Sequence, residues 1–282
     1  MRLDRRRGGF AAGLLGAAAM LVSLGLGEVR VASQDPAVEP QARAAIERTR
    51  AAYQSLNALH VKVKWTARYS GGMSAEDFPL PGPNEFELRL QRPNRLNLFA
   101  SSRRDGRTWS YRIVSDGATL WFWRSAANTF TQVPTGATLA DIDRLLPDDA
   151  IGTFDGSGWE ADNIMEWEAL VRGAEPLGAL AGSGLAITLG APTRFGDTPV
   201  DVIRMKSPAA GPLMPIVMES ELFLSATNHL IRGYRLTTRG RHPDNGRDFS
   251  VTMQAEYDVH DADPRFRDED FRFTPPRGAV RK

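Results

Sequence analysis

Val61-Lys62-Val63-Lys64-Trp65-Thr66-Ala67-Arg68-Tyr69 alternates apolar and polar or charged side chains with almost no exception. Successive side chains of an extended chain point to opposite faces, so a period of two marks a strand with one buried face. The segment just before it has a different period. Gln41–Leu56 is rich in helix formers and puts Ala45, Ile46, Thr49, Ala52, Tyr53 and Leu56 on one stripe, behind a well-placed Pro40. The chain therefore starts its folded part with an amphipathic helix that needs an apolar surface, followed by a strand that supplies one.

Working outward, the same period of two returns in Phe86–Leu90, Leu96–Ala100, Trp109–Ile113, Thr119–Arg124 and Thr129–Val133. It returns again in Ala186–Phe195, Pro199–Lys206, Ile216–Leu224, Leu230–Arg239 and Arg247–Val259, the last with Phe249, Val251, Met253, Ala255, Tyr257 and Val259 on one side. Ser115-Asp116-Gly117 is a tight hairpin signal. Two further helical segments, Leu139–Leu146 and Trp159–Arg172, interrupt the series on either side of a Gly/Asp-rich stretch at 147–158. About eleven strands with short links, and no helix regularly between them, argue against βαβ topology and point to an antiparallel meander. Such a sheet must cover its apolar face, either by closing into a barrel or by curling under the three helices. The loop at 70–84 is long and rich in Gly, Pro and acidic residues.

Residues 1–33 read as an export signal, with Arg2, Arg5, Arg6 and Arg7 before an uncharged Ala/Leu/Gly-rich run over 8–27. An uncleaved inner-membrane anchor is the alternative. Residues 34–40 follow as a linker and 41–282 as a single domain. There is no cysteine in the 282 residues, so an exported chain has no disulfide and must be stabilised by its core. The formal charge is +1, of which five Arg against Asp4 and Glu28 in residues 1–33 supply +3, leaving −2 for the remainder. That balance argues against nucleic acid as a partner.

Little in the chain suggests catalysis. His60, His229, His242 and His260 lack metal-ligand spacing. Gly182-Ser183-Gly184 is not a nucleophile elbow. The acidic run 258–263 with Asp268, Glu269 and Asp270 lacks EF-hand order and reads as a solvated loop. No cofactor, metal site or enzymatic activity is expected. The aromatic run Leu120-Trp121-Phe122-Trp123 is apolar on both strand faces. It is either a fully buried central strand or a strand with one face on a ligand cavity. In the cavity reading the wall is drawn from Trp65, Leu88, Leu90, Leu96, Leu98, Trp109, Tyr111, Trp121 and Trp123. Ile164 and Trp167 of the third helix would face them. Arg92, at a strand end before Pro93, has five donors that suit it to holding helix carbonyls.

Three segments carry a resemblance. Arg92-Pro93-Asn94, then Ser115-Asp116-Gly117 with Thr119-Leu120-Trp121-Phe122, then Phe273-Thr274-Pro275-Pro276 with Gly278 resemble, in order, signatures of the LolA-like family of periplasmic lipoprotein-localisation carriers. The resemblance covers most of residues 41–280. It implies a half-open, incomplete antiparallel β-barrel of eleven strands with helices as a lid. It implies a periplasmic chaperone-like role in transport, holding lipoprotein acyl chains or lipid and exchanging them with inner- and outer-membrane loading and unloading proteins. It makes Arg92 the lid latch. Leu96 stands where the family often has an aromatic. Sensors and structural envelope modules of the same fold, which bind a protein partner, are the alternative role.

Overall fold

The computed structural model describes residues 38–74, 85–104, 107–145, 186–206, 217–241 and 246–282. Its body is one sheet of thirteen strands. The first half comprises β1 (Ala58–Ser70), β2 (Glu85–Gln91), β3 (Arg95–Arg104), β4 (Arg107–Asp116), β5 (Thr119–Arg124) and β6 (Thr129–Pro134). The second half comprises β7 (Ala186–Leu189), β8 (Thr193–Phe195), β9 (Thr198–Lys206), β10 (Val217–Ser225), β11 (Ile231–Arg241) and β12 (Asp248–Ala262), and β13 (Val280–Arg281) ends the chain. The two meanders join where β1 pairs with β12. The order runs β13-β6-β5-β4-β3-β2-β1-β12-β11-β10-β9-β7, with β8 also on β9. The sheet is curved and unclosed, a half-open barrel.

Two strands exceed the eleven that periodicity predicts. Ala186–Phe195 breaks at Gly190-Ala191-Pro192 into β7 and β8, because Pro192 has no N–H for the ladder. The short β13 adds to β6 in parallel, while every other pairing is antiparallel. A third difference lies in β12. The register pairs Lys62 with Val259 but Val63 with Tyr257. This bulge takes up Asp258, so the pairing with β1 slips by one residue beyond Tyr257.

Register defines the inner face in cross-strand rows. One row runs Leu189–Ile203–Leu222–Tyr234–Ala255–Trp65 across six strands. Another runs Val61–Leu88–Leu98–Ile113–Phe122. Nearly all of these side chains belong to one buried cluster. Helix α1 (Pro40–Ser55) lies on it through Ala42, Ala45, Thr49 and Tyr53, all buried. Helix α2 (Leu139–Leu145) adds Leu139 and Ile142 to the same cluster. Small residues at 42, 45 and 49 let α1 come close to the sheet before Tyr53 fills the gap.

The outer face has its own covering. Residues 263–282 run across β1 to β6 as a strap. Phe271 is fully buried, with the Arg95 guanidinium 4.4 Å over its ring and Phe266 edge-on at 5.1 Å. Phe273 stacks on Trp121 at 5.9 Å and meets Phe130 at 5.6 Å. On the other half, Phe195 of β8 stacks on Phe223 at 4.5 Å and closes a small cluster with Val200 and Val202. Gly233 makes room for it, since a Cβ there would run into the Phe195 ring.

Candidate functional site

The site predicted from sequence divides by face. Leu88, Leu90, Leu96, Leu98 and Tyr111 all point inward and are almost fully buried. Trp65 and Trp109 also point inward, and both are only half-buried. Trp65 sits edge-on to Tyr234 at 6.2 Å. The expectation that Trp121 and Trp123 share this wall is corrected by register. In β5 it is Leu120 and Phe122 that face inward, opposite Ser115 and Ile113. A period of two then sends Trp121 and Trp123 outward. There Trp121 lies under Phe273, and Trp123 Nε1 donates to Asn128 Oδ1 at 3.2 Å. Ile164 and Trp167 lie outside the described residues, as do the helix at 159–172, residues 1–33 and most of the loop at 70–84.

Beyond the floor packed by α1, the inner face continues as a second apolar zone. Phe249, Val251 and Met253 form its buried part, with Ala67, Tyr69, Met73 and Leu236 half-buried against them. Together with Trp65 and Trp109 these residues form the part of the inner face that the described helices leave partly open. Periodicity could have identified Ala67 and Tyr69, because they continue the β1 alternation beyond Trp65.

Arg92 is bonded to the C-terminal end of α1. Its Nε donates to the carbonyl of Leu56, the residue that ends α1, at 3.1 Å, and its backbone N–H donates to the carbonyl of Asn57 at 2.8 Å. The Arg92–Pro93 peptide is cis. The other end of α1 is held as well. The Glu39 N–H donates to the Ile187 carbonyl at 3.0 Å, and the Glu39 carboxylate accepts from the Leu189 N–H at 2.8 Å. Those two contacts cap the free edge of β7.

The motif residues mostly serve as joints. Asn94 Nδ2 donates to the carbonyls of Gly117 and Gly136 at 3.0 and 2.8 Å. Ser115 Oγ donates back to the Asn94 carbonyl at 2.7 Å. Asp116 Oδ1 accepts from the N–H groups of Ala118 and Thr119, both at 2.8 Å, and Gly117 takes φ of +100° to make the turn. The Pro93 carbonyl accepts from the Leu139 N–H at 2.8 Å, which ties in α2. The first two motifs are thus one knot at one end of the sheet, and the third is the outer strap.

The acidic segment also serves as a set of clips. Asp263 Oδ1 accepts from the N–H groups of Asn57 and Ala58 at 2.7 and 2.9 Å. Asp268 pairs with Arg95 at 2.9 Å, and Asp270 takes the Arg267 N–H at 2.8 Å. Beneath the strap, Glu87 pairs with Arg89 at 2.7 Å and with His60 at 3.0 Å. Burial raises the Glu87 pKa, but the His60 hydrogen bond and the Arg89 and Lys62 charges outweigh it and hold the carboxyl below its ordinary value. Among the described residues no group of three or more His, Asp or Glu is placed to hold a metal. No described helix is long and apolar enough to cross a membrane.

No protein-family model and no curated protein matches the chain. Among solved structures it is similar to the lipoprotein LppX of Mycobacterium tuberculosis, at 12% identity and a TM-score of 0.40, covering 81% of this chain and 98% of that one. It is similar to LprF from Mycobacterium bovis at 12% identity and a TM-score of 0.37, with the same coverage. The Pseudomonas aeruginosa MucA/MucB complex matches at 11% identity and a TM-score of 0.32, over 83% of this chain and 61% of that one.

Proposed function

We propose that this protein binds the acyl chains of lipid or lipoprotein between the inner face of the sheet and its helices, as an exported carrier in the periplasm. The observation that carries this is the half-buried apolar strip of Trp65, Ala67, Tyr69 and Leu236, continuous with the buried inner face. Each methylene buried there contributes roughly 0.8 kcal/mol, so a few give a releasable complex and a full chain a tight one. Release then depends on moving the helices. Arg92 on the Leu56 carbonyl biases that balance toward the closed arrangement. Loading and unloading proteins at the two membranes would supply and accept the lipid.

The test is lipid extraction and mass spectrometry of protein purified without detergent, followed by re-lipidation of stripped protein. Co-purified or re-acquired lipid is expected, with faster loss from Arg92→Leu than from wild type. Stripped protein that neither carries nor takes up any lipid overturns the proposal.

A further inference from the structure

The outer face of the first meander carries a cation that the strap leaves without a counter-charge. Arg112 stands in the cross-strand row Glu87–Phe99–Arg112–Trp123–Phe130. Its neighbours on β4, Tyr111 and Ile113, point inward and are buried, so Arg112 points out. One row away, Asn97 and Val114 are buried. In the Arg112 row the cover thins, and Phe99, Arg112, Trp123 and Phe130 are all half-buried. Asn97 links this row to the strap. Its Nδ2 donates to the Asp270 carbonyl at 2.6 Å, and its Oδ1 accepts from Arg112 Nε at 3.1 Å. The guanidinium is thus held by one edge, and its two terminal nitrogens have no partner among the described residues.

The cations around it are paired. Arg89 has Glu87 at 2.7 Å and Asp270 at 3.6 Å, Arg95 has Asp268 at 2.9 Å, and Lys62 has Glu87 at 3.9 Å. Lys64 and Arg68 lack a carboxylate among the described residues, but both are exposed and solvated by water. Arg112 has lost part of that water. Burial, and after it the like charge of Arg89, hold its pKa below the ordinary arginine value, and Glu87 offsets them only in part. A half-buried cation beside a like charge is stabilised by an anion that reaches it.

The chemistry of the free edge narrows the anion. With Nε taken, the pair of terminal nitrogens remains, and their N–H groups are spaced for the two oxygens of a carboxylate. On either side in the row, the half-buried rings of Phe99 and Trp123 offer apolar contact. A membrane surface or another polyanion would call on several free cations, and the neighbouring ones are committed. One acidic side chain between apolar ones matches the fork and both rings.

We propose that the outer face beside the strap docks a protein partner through Arg112, which receives a single Asp or Glu carboxylate while Phe99 and Trp123 take the apolar residues that flank it. This surface lies on the opposite side of the sheet from the acyl-chain site and does not depend on that reading.

The experiment titrates the isotope-labelled full chain with acetyl-Leu-Glu-Leu-amide, with its Gln counterpart and with inorganic phosphate. The side-chain N–H resonances of the arginines and tryptophans report binding. The Glu peptide is expected to bind about tenfold more tightly than the Gln peptide, the low end for a hydrogen bond to a charged group. It should move the Arg112 Nε and Trp123 Nε1 resonances. Arg112→Gln should abolish the preference while the remaining resonances keep their positions, which also shows that the variant is folded. Equal wild-type affinity for the two peptides overturns the proposal, as does binding by none of the three probes. Shifts confined to other arginines overturn it from wild type alone, even if Arg112→Gln does not fold. A preference that survives in folded Arg112→Gln overturns it too. Phosphate binding more tightly than the Glu peptide overturns it in favour of a phosphate-bearing ligand.

Discussion

Trp65 and Trp121 lie on opposite faces of the sheet, and removing each should have opposite consequences. Trp121→Ala strips the ring from beneath Phe273, which stacks on it at 5.9 Å. A partly buried indole gives up on the order of 100 Å² of contact, equivalent to about 2.5 kcal/mol at roughly 25 cal/mol per Å². The stacked pair adds about 1 kcal/mol. Relaxation of the strap recovers part of this, leaving a net loss of about 2–3 kcal/mol. For a domain of this size that lowers Tm by about 5–10 °C. Lipid uptake by the folded variant should not change, because nothing on the inner face moves.

Trp65→Ala takes away a half-buried inner wall residue instead. The loss of two methylene contacts, about 1.6 kcal/mol, weakens acyl binding roughly fifteenfold. Its stability cost should be the smaller of the two. Thermal unfolding followed by circular dichroism gives one axis, and lipid titration gives the other. If Trp121→Ala weakens lipid binding as much as Trp65→Ala and leaves Tm unchanged, the assignment of faces is wrong.

Two other outcomes follow from the described geometry. The folded Glu87 carboxyl titrates below its ordinary value of 4.5, so it stabilises the fold above that pH and ceases to do so as pH falls through and below it. The stability gap between wild type and Glu87→Gln, read by urea unfolding, should therefore be present at neutral pH and shrink below about pH 4.5. A gap that stays constant down to pH 3 contradicts the pairing with His60 and Arg89. Gly71 and Gly72 make a matched pair of controls. Both have positive φ, but a Cβ on Gly71 would also strike the Asp248 carbonyl oxygen, whereas Gly72 has open space. Gly72→Ala should cost about 1–2 kcal/mol from backbone strain alone, and Gly71→Ala clearly more. Equal losses in denaturant melts would place the start of β12 elsewhere.

The alternation around Trp65 and the stripe on α1 were enough to read the sheet, its inner face and the helix that covers it. Side-chain period reports local geometry, and most of this fold is local geometry repeated. What sequence left open in β5 was direction. Leu120-Trp121-Phe122-Trp123 is apolar at every position, so its period is silent, and only the register against Ser115 and Ile113 decides which pair faces inward. The strap escaped notice for a related reason. Phe271 and Phe273 lie in a segment with no long strand or helix period, and their partners Arg95 and Trp121 are far away in sequence. The position of Arg92 was legible because a strand end before proline is a marked place. Its partner, the Leu56 carbonyl, is a backbone atom that no side-chain pattern reveals.

The two ties on α1 make it the string of a bow. Glu39 fastens one end to β7, at the outer end of the second meander, and Arg92 fastens the other near the middle of the sheet. A string of fixed length sets how far a bow can flex. The width of the mouth over β9 to β12 is then governed by sixteen helical residues as much as by strand twist. Removing one helical turn would draw the β7 edge toward β1 by about 5.4 Å, tightening the arc without altering a single strand residue that faces into it.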